Sequence, residues 1–163
     1  MAEQKTNVMR ALEQKKIRYT PHEYPHGAEA VDGVTVAGLI GAAPEQVFKT
    51  LVTRGASKNI YVFVIPVAAE LDLKKAARAV GEKSITMIHV SEITALTGYV
   101  RGGCSPIGMK KQYKTVYHES ALEQETIIVS AGRIGSQVEL APNALATLTR
   151  GQFADIIDII TEG

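Results

Sequence analysis

Tryptophan is absent from the chain and cysteine occurs once, as Cys104. One thiol excludes an intramolecular disulfide framework and any zinc cluster built from several cysteines. No stretch reaches the ~18 consecutive apolar residues of a transmembrane helix, so none is predicted. An excess of charge of one sign is missing as well: 18 Lys and Arg against 17 Asp and Glu leave a net charge of +1. That balance excludes a protein that grips long DNA or RNA by its backbone, because such affinity scales with the phosphates neutralised. A nucleic-acid ligand would have to be met over a small contact. The catalytic signatures GxxxxGK[ST], HExxH and GxSxG are all lacking. The N-terminal MAEQKTNVMRALEQKK is polar, without the apolar stretch and cleavage site of a signal peptide, which predicts a cytoplasmic protein.

What remains is an ordinary globular composition. Hydrophobic residues make up 45% and charged residues 21% of 163 positions, with a mean hydropathy of +0.02. A chain of this size buries roughly two-thirds of its unfolded surface. Without repeats, low-complexity tracts or a Pro/Ser-rich linker, residues 1–163 are expected to form a single domain. The basic clusters Lys15-Lys16-Arg18, Lys74-Lys75 and Lys110-Lys111-Lys114 read as solvated faces.

Val8, Met9, Leu12 and Ile17 recur at helical spacing over residues 5–17. PHEYPHGAEA reads as a short strand entering a loop, and residues 32–41 as a helix stopped at Gly41. QVFKTLVTRG and NIYVFVIPV, rich in Val, Ile, Phe and Tyr, predict a β-hairpin turning at 55–59. Asp72 caps LDLKKAARAVG, with Leu73, Ala76, Ala77 and Val80 as its inner face and Gly81 as its stop. SITMIHV reads as a strand, and Ser91 as the start of a short helix ending at Thr97-Gly98. Strands follow near 114–118, 126–131 and 137–140, then a helix opening at Pro142 and a short apolar element in FADIIDIIT. Strands and helices mix without regular βαβ alternation, which predicts α+β with a curved mixed β-sheet flanked by helices.

Candidate chemistry is sparse. His22 and His26 stand four apart, but Pro21 and Pro25 oppose a helix that would align them, and no other histidine completes a metal-ligand spacing with His89 or His118. No metal and no cofactor are expected. Cys104 has no histidine nearby to make it a thiolate, so packing is favoured over nucleophilic duty. Lys49 is more informative. In QVFKTLV, Val47, Lys49 and Leu51 share one face while Phe48, Thr50 and Val52 share the other. A lysine in a strand covered on both sides needs a ligand, a carboxylate or an opening for its ammonium; at a strand end it can instead extend its stem to solvent. The pattern leaves both readings open. Two glycine-rich loops, TGYVRGGCSPIG (97–108) and SAGRIG (130–135), have the backbone freedom to approach a ligand and aim amides at it. Together with Lys49 they suggest a polar pocket for an ester or a ribose phosphate.

The ordered set FKTL, VIPVAAELDLKKAARAVG, TGYVRGGCSPIGMKK, IIVSAGRIG and VELAP resembles the YbaK family of bacterial deacylases, relatives of the editing domain inserted in some prolyl-tRNA synthetases. The likeness runs from about Thr6 to Ile160 without large insertions. It implies an enzyme that clears cysteine from Cys-tRNA(Pro) in trans, with Cys-tRNA(Cys) as a further substrate. The substrate's own thiol would attack its ester carbonyl, and the protein would supply pose and oxyanion stabilisation. The resemblance assigns Lys49 to the tRNA 3′ end and places Tyr24, Thr50, Ser130 and Gly132 against the substrate. It gives the amides of Gly102 and Gly103 to the aminoacyl ester. The implied partners are the aminoacyl-tRNA 3′ end and prolyl-tRNA synthetase, with no membrane and no DNA. Two departures bear on specificity: Val31-Asp32-Gly33 stands where relatives carry a phenylalanine, and Gln137 where they carry a carboxylate. Alternatives are a deacylase for another small amino acid such as alanine, and a non-catalytic aminoacyl-tRNA or nucleotide binder that partners a synthetase.

Overall fold

The computed structural model describes residues 5–25 and 31–158. His26 and the end of the C-terminal apolar stretch, including Ile160, lie outside the described residues.

The first helix, α1 (Asn7–Gln14), starts where Thr6 Oγ1 accepts from Met9 N and buries Val8, Met9 and Leu12. After β1 (Thr20–Glu23), α2 (Gly33–Ile40) is capped by Asp32 and ends at Gly41, whose φ of 73° lies in the left-handed region. The predicted hairpin is present as β2 (Phe48–Gly55) and β3 (Ile60–Pro66). Asp72 Oδ1 accepts from both Lys74 N and Lys75 N to open α3 (Leu73–Val80), which stops at Gly81. Its inner face is Ala76 and Ala77, with Val80 packed half-buried beside them; Leu73 is 42% exposed, because it occupies the first helical position just beyond the cap and turns outward.

SITMIHV yields only three strand residues, β4 (Ile85–Met87). Past them His89 turns the chain: its Nδ1 accepts from Ser91 N while Glu92 Oε2 accepts from His89 N. The helix expected to begin at Ser91 is therefore capped two residues earlier, by His89, as a 3-10 turn leading into α4 (Ile93–Thr97). Next come β5 (Lys114–His118), β6 (Ile127–Ser130), β7 (Ser136–Leu140) and α5 (Pro142–Thr149). The final apolar stretch supplies β8 (Gln152–Ala154), parallel to β5, and a bridge from Ile157 to Leu71.

The fold is α+β. Hydrogen bonding groups the strands into a five-stranded mixed ladder ordered β4-β2-β3-β5-β8 and a three-stranded antiparallel ladder ordered β1-β7-β6. Among the described residues a single parallel bridge, Val47 to Ile128, joins them. Alternation along β3 feeds two cores. Tyr61, Phe63 and Ile65 pack with Ala76 and Ala77 of α3, while Val62 and Val64 meet Val8 and Leu12 of α1 and Leu145 of α5. No helix among the described residues is long and apolar enough to cross a membrane.

Candidate functional site

The edge of β2 opposite β3 is held by two different partners that part company. Ile128 N donates to Gln46 O at 2.9 Å at one end, and Ile88 N donates to Val52 O at 3.3 Å at the other. β4 pairs only with Thr53 to Gly55, and the β6 contact does not continue beyond the Val47–Ile128 bridge. Between them lies a gap one or two peptides long. A cavity of about 820 Å³ opens there, in the size range of small-ligand sites. Its described walls are β2, the start of α2, Tyr24, the Val100–Cys104 loop and the Ser130–Gln137 loop.

Register places the side chains. Lys49 pairs with Ile65 and Thr50 with Val64, so Lys49 leaves β2 on the α3 side of the sheet and Thr50 on the α1 side. Both reach the cavity because it wraps around the open strand edge. Lys49 is half-buried and Arg101 exposed, and neither forms an ion pair with a described residue. The one carboxylate on the described wall, Asp32, is occupied: it accepts from Thr35 N at 3.0 Å and Thr35 Oγ1 at 2.7 Å. Those bonds hold its pKa below the usual carboxylate range. The mouth of the cavity thus has two uncommitted cations and an anion already satisfied.

Two buried polar atoms on this wall, Thr50 Oγ1 and Gln137 Oε1, have no hydrogen-bond partner among the described residues. Leaving such an atom unpaired costs about 1–3 kcal/mol, so it marks a place for a polar ligand or water. Of the residues singled out in the sequence, Lys49, Thr50, Tyr24, Gly102 and Ser130 line the cavity, whereas Gly103 and Gly132 do not. Gly103 is buried and its N–H donates to Val100 O at 3.0 Å, closing a tight turn in which Gly102 has φ of 86°. Its amide is therefore engaged within the turn. Gly132 N donates to Ser130 Oγ at 3.2 Å, and its φ of 97° suits a turn packed on Tyr99 and Val8.

Gly103 has a different task. A Cβ there would lie 2.9 Å from Arg133 Cα and 3.0 Å from Ile134 N. The two glycine-rich loops touch at this point, and only a residue without a side chain fits. Gly103→Ala is expected to lower unfolding free energy by about 1–3 kcal/mol in a urea titration, since backbone must move on one side.

Cys104 also borders the cavity. Burial pushes its thiol up to about 11, only partly offset by the nearby Thr97 side chain. At neutral pH it is a thiol and a poor nucleophile. No histidine lies among the described cavity residues; His22 is engaged with Glu139 at 2.7 Å, and no group of three or more His, Cys, Asp or Glu side chains converges among the described residues. Sequence reasoning gave Arg101 no site role, and nothing in its surroundings distinguishes it from any loop arginine. Nor did it find the open edge of β2, which depends on where β4 and β6 stop.

Comparison with known proteins follows the same outline. Residues 28–148 match the family described as the aminoacyl-tRNA editing domain. A protein of Enterococcus faecalis, provisionally named Cys-tRNA(Pro)/Cys-tRNA(Cys) deacylase EbsC, is 49% identical over 154 residues, covering 94% of each chain. A crystal structure provisionally described as a trans-editing enzyme for prolyl tRNA synthetase superposes with a TM-score of 0.80 at 28% identity, over 93% of this chain and 95% of that one. The fold is shared further by the hypothetical protein APE2540, with a TM-score of 0.82 at 21% identity over 93% and 99% of the two chains.

Proposed function

The chain belongs to the aminoacyl-tRNA editing domain family, and from that premise we propose that it is a trans-editing deacylase that removes cysteine from Cys-tRNA(Pro). The observation that carries the reading is the cavity on the open β2 edge, which among its described residues has unpaired acceptors, cations without an ion pair and no activated nucleophile. It is supported by the likeness to a relative named for Cys-tRNA(Pro) and Cys-tRNA(Cys) over almost the whole chain. Residues 1–163 act as one editing unit.

Cysteine and proline are alike in size, so a synthetase pocket rejects cysteine poorly and a second check is required. The substrate brings its own nucleophile. Its sulfur bonds to the ester carbonyl carbon, and the carbonyl π pair moves onto oxygen. Collapse of that oxyanion breaks the bond to the ribose oxygen, which takes up the thiol's proton and leaves a thiolactone. Such chemistry asks the protein for pose and electrostatics rather than a base. Lys49 holds the phosphate or ribose of the terminal nucleotide, Gly102 presents its turn to the aminoacyl group, and Tyr24, Thr50 and Ser130 bound the amino acid. With a net charge of only +1, tRNA is held weakly and prolyl-tRNA synthetase delivers it.

Cys104→Ala is expected to keep its deacylation rate within about threefold of the wild type, because a thiol with so high a pKa contributes no thiolate. Initial rates on Cys-tRNA(Pro) check this, and loss of activity would make Cys104 the nucleophile. The deacylase reading itself is tested by incubating the protein with labelled Cys-tRNA(Pro): a binder leaves the ester intact, whereas the enzyme releases the label.

A further inference from the structure

The peptide groups of β2 point alternately to its two neighbours. Val47 O accepts from Val67 N and Gly55 N donates to Asn59 O, so odd-numbered residues face β3. Val52 O accepts from Ile88 N and Ala56 N donates to Ser84 O, so even-numbered residues face the β4 edge. Thr50 is even, and it sits midway between the β6 bridge at Val47 and the first β4 pair at Thr53. Its main-chain N–H and C=O therefore project, in the plane of the sheet, into the gap that forms the cavity. Its side-chain oxygen, which has no hydrogen-bond partner among the described residues, lies against the same cavity.

We propose that the Thr50 peptide N–H is the oxyanion donor for the ester being cleaved, with the Thr50 carbonyl oxygen beside it accepting from the substrate's α-ammonium. The proposal rests on the deacylase reading above and adds a group that side-chain reasoning does not find. A rigid strand suits the role. Its amide is fixed by the β2–β3 register on one side and aimed without reorganisation at a charge that develops on the carbonyl oxygen. The Gly103 amide, by contrast, is consumed within its own turn at 3.0 Å from Val100 O. Lys49, the residue before, fastens the nucleic-acid end of the ester from one face of the sheet, while the Thr50 N–H meets the carbonyl at the edge. As sulfur attacks, the carbonyl oxygen gains the π pair and the N–H···O bond shortens. When the ribose oxygen departs with the thiol's proton, the carbonyl re-forms and the bond weakens again.

The test exchanges one atom. In the full chain, Thr50 is replaced by its α-hydroxy acid counterpart, which keeps the side chain and turns the N–H into an ester oxygen. The same exchange at Leu51, whose N–H faces β3, is the control. Single-turnover release of cysteine from Cys-tRNA(Pro) is measured beside the melting temperature. The expected result is a loss of about 10²-fold in rate for the exchange at Thr50 with near-native melting. The exchange at Leu51 is expected to lower the melting temperature with little change in rate for the folded protein. A Thr50 exchange that retains the wild-type rate to within threefold would overturn the proposal. Wild-type turnover in the same assay would leave the deacylase reading standing in that case, so the two failures are distinguishable.

Discussion

A tRNA(Pro) charged with 2-aminobutyrate, which puts a methyl group where cysteine has its thiol, is expected to lose its amino acid at least about 10³-fold more slowly than Cys-tRNA(Pro). The two side chains are close in size and shape, so the cavity should hold them almost equally. What differs is the nucleophile. A well-placed intramolecular group has an effective molarity of about 10⁵–10⁸ M, and the described cavity residues hold no histidine and only one carboxylate, already bound to Thr35, to activate water instead. Single-turnover rates on the two charged tRNAs, with inhibition of Cys-tRNA(Pro) release by the aminobutyryl form, measure chemistry and binding separately. Equal rates would show that water is the attacking group and that alanine and other small residues are substrates too. The latter outcome has a structural foothold in this chain, because Val31-Asp32-Gly33 and Gln137, the two departures from the family pattern noted in the sequence, line the cavity wall.

The second large effect belongs to Lys49. Lys49→Ala is expected to lower kcat/KM by about 10²-fold, the worth of one charge-assisted hydrogen bond lost from a desolvated pose. Melting should stay near the wild-type value, since Lys49 makes no ion pair with any described residue. A phosphate contact leaves a second mark. The slope of log kcat/KM against log salt should become shallower by roughly 0.7, one phosphate's share for a single strand. A lysine that merely extended its stem to solvent would move neither quantity. Lys49→Arg restores charge but not the compact ammonium, so partial recovery is expected.

The local signals that proved most informative in the sequence are those with a mechanism confined to a few residues. Asp32 with Gly41 and Asp72 with Gly81 bracket their helices through a side-chain acceptor at one end and a left-handed glycine at the other. The β2–β3 hairpin follows from two apolar runs around a polar turn. The face assignment in QVFKTLV also agrees with the register, because alternation is a property of the strand itself.

Partnerships between distant segments were not legible. Nothing in SITMIHV shows that pairing ends at Met87, because what ends it is the reciprocal bond between His89 and Glu92 beyond the strand. Nothing in SAGRIG shows that it packs against Gly103, so a glycine that serves loop contact looked the same as one that serves a ligand. The cavity is a consequence of two such terminations on one edge of β2. For the same reason the sequence drew attention to the side chains of Lys49 and Thr50 and passed over the peptide between the faces.

The most direct measurement is single-turnover deacylation of Cys-tRNA(Pro) and Pro-tRNA(Pro) by the wild-type protein, side by side at equal concentration. The account predicts rapid release of cysteine and no acceleration of prolyl release, since proline has no thiol to attack its own ester. Release of neither amino acid, or of both at comparable rates, would contradict it.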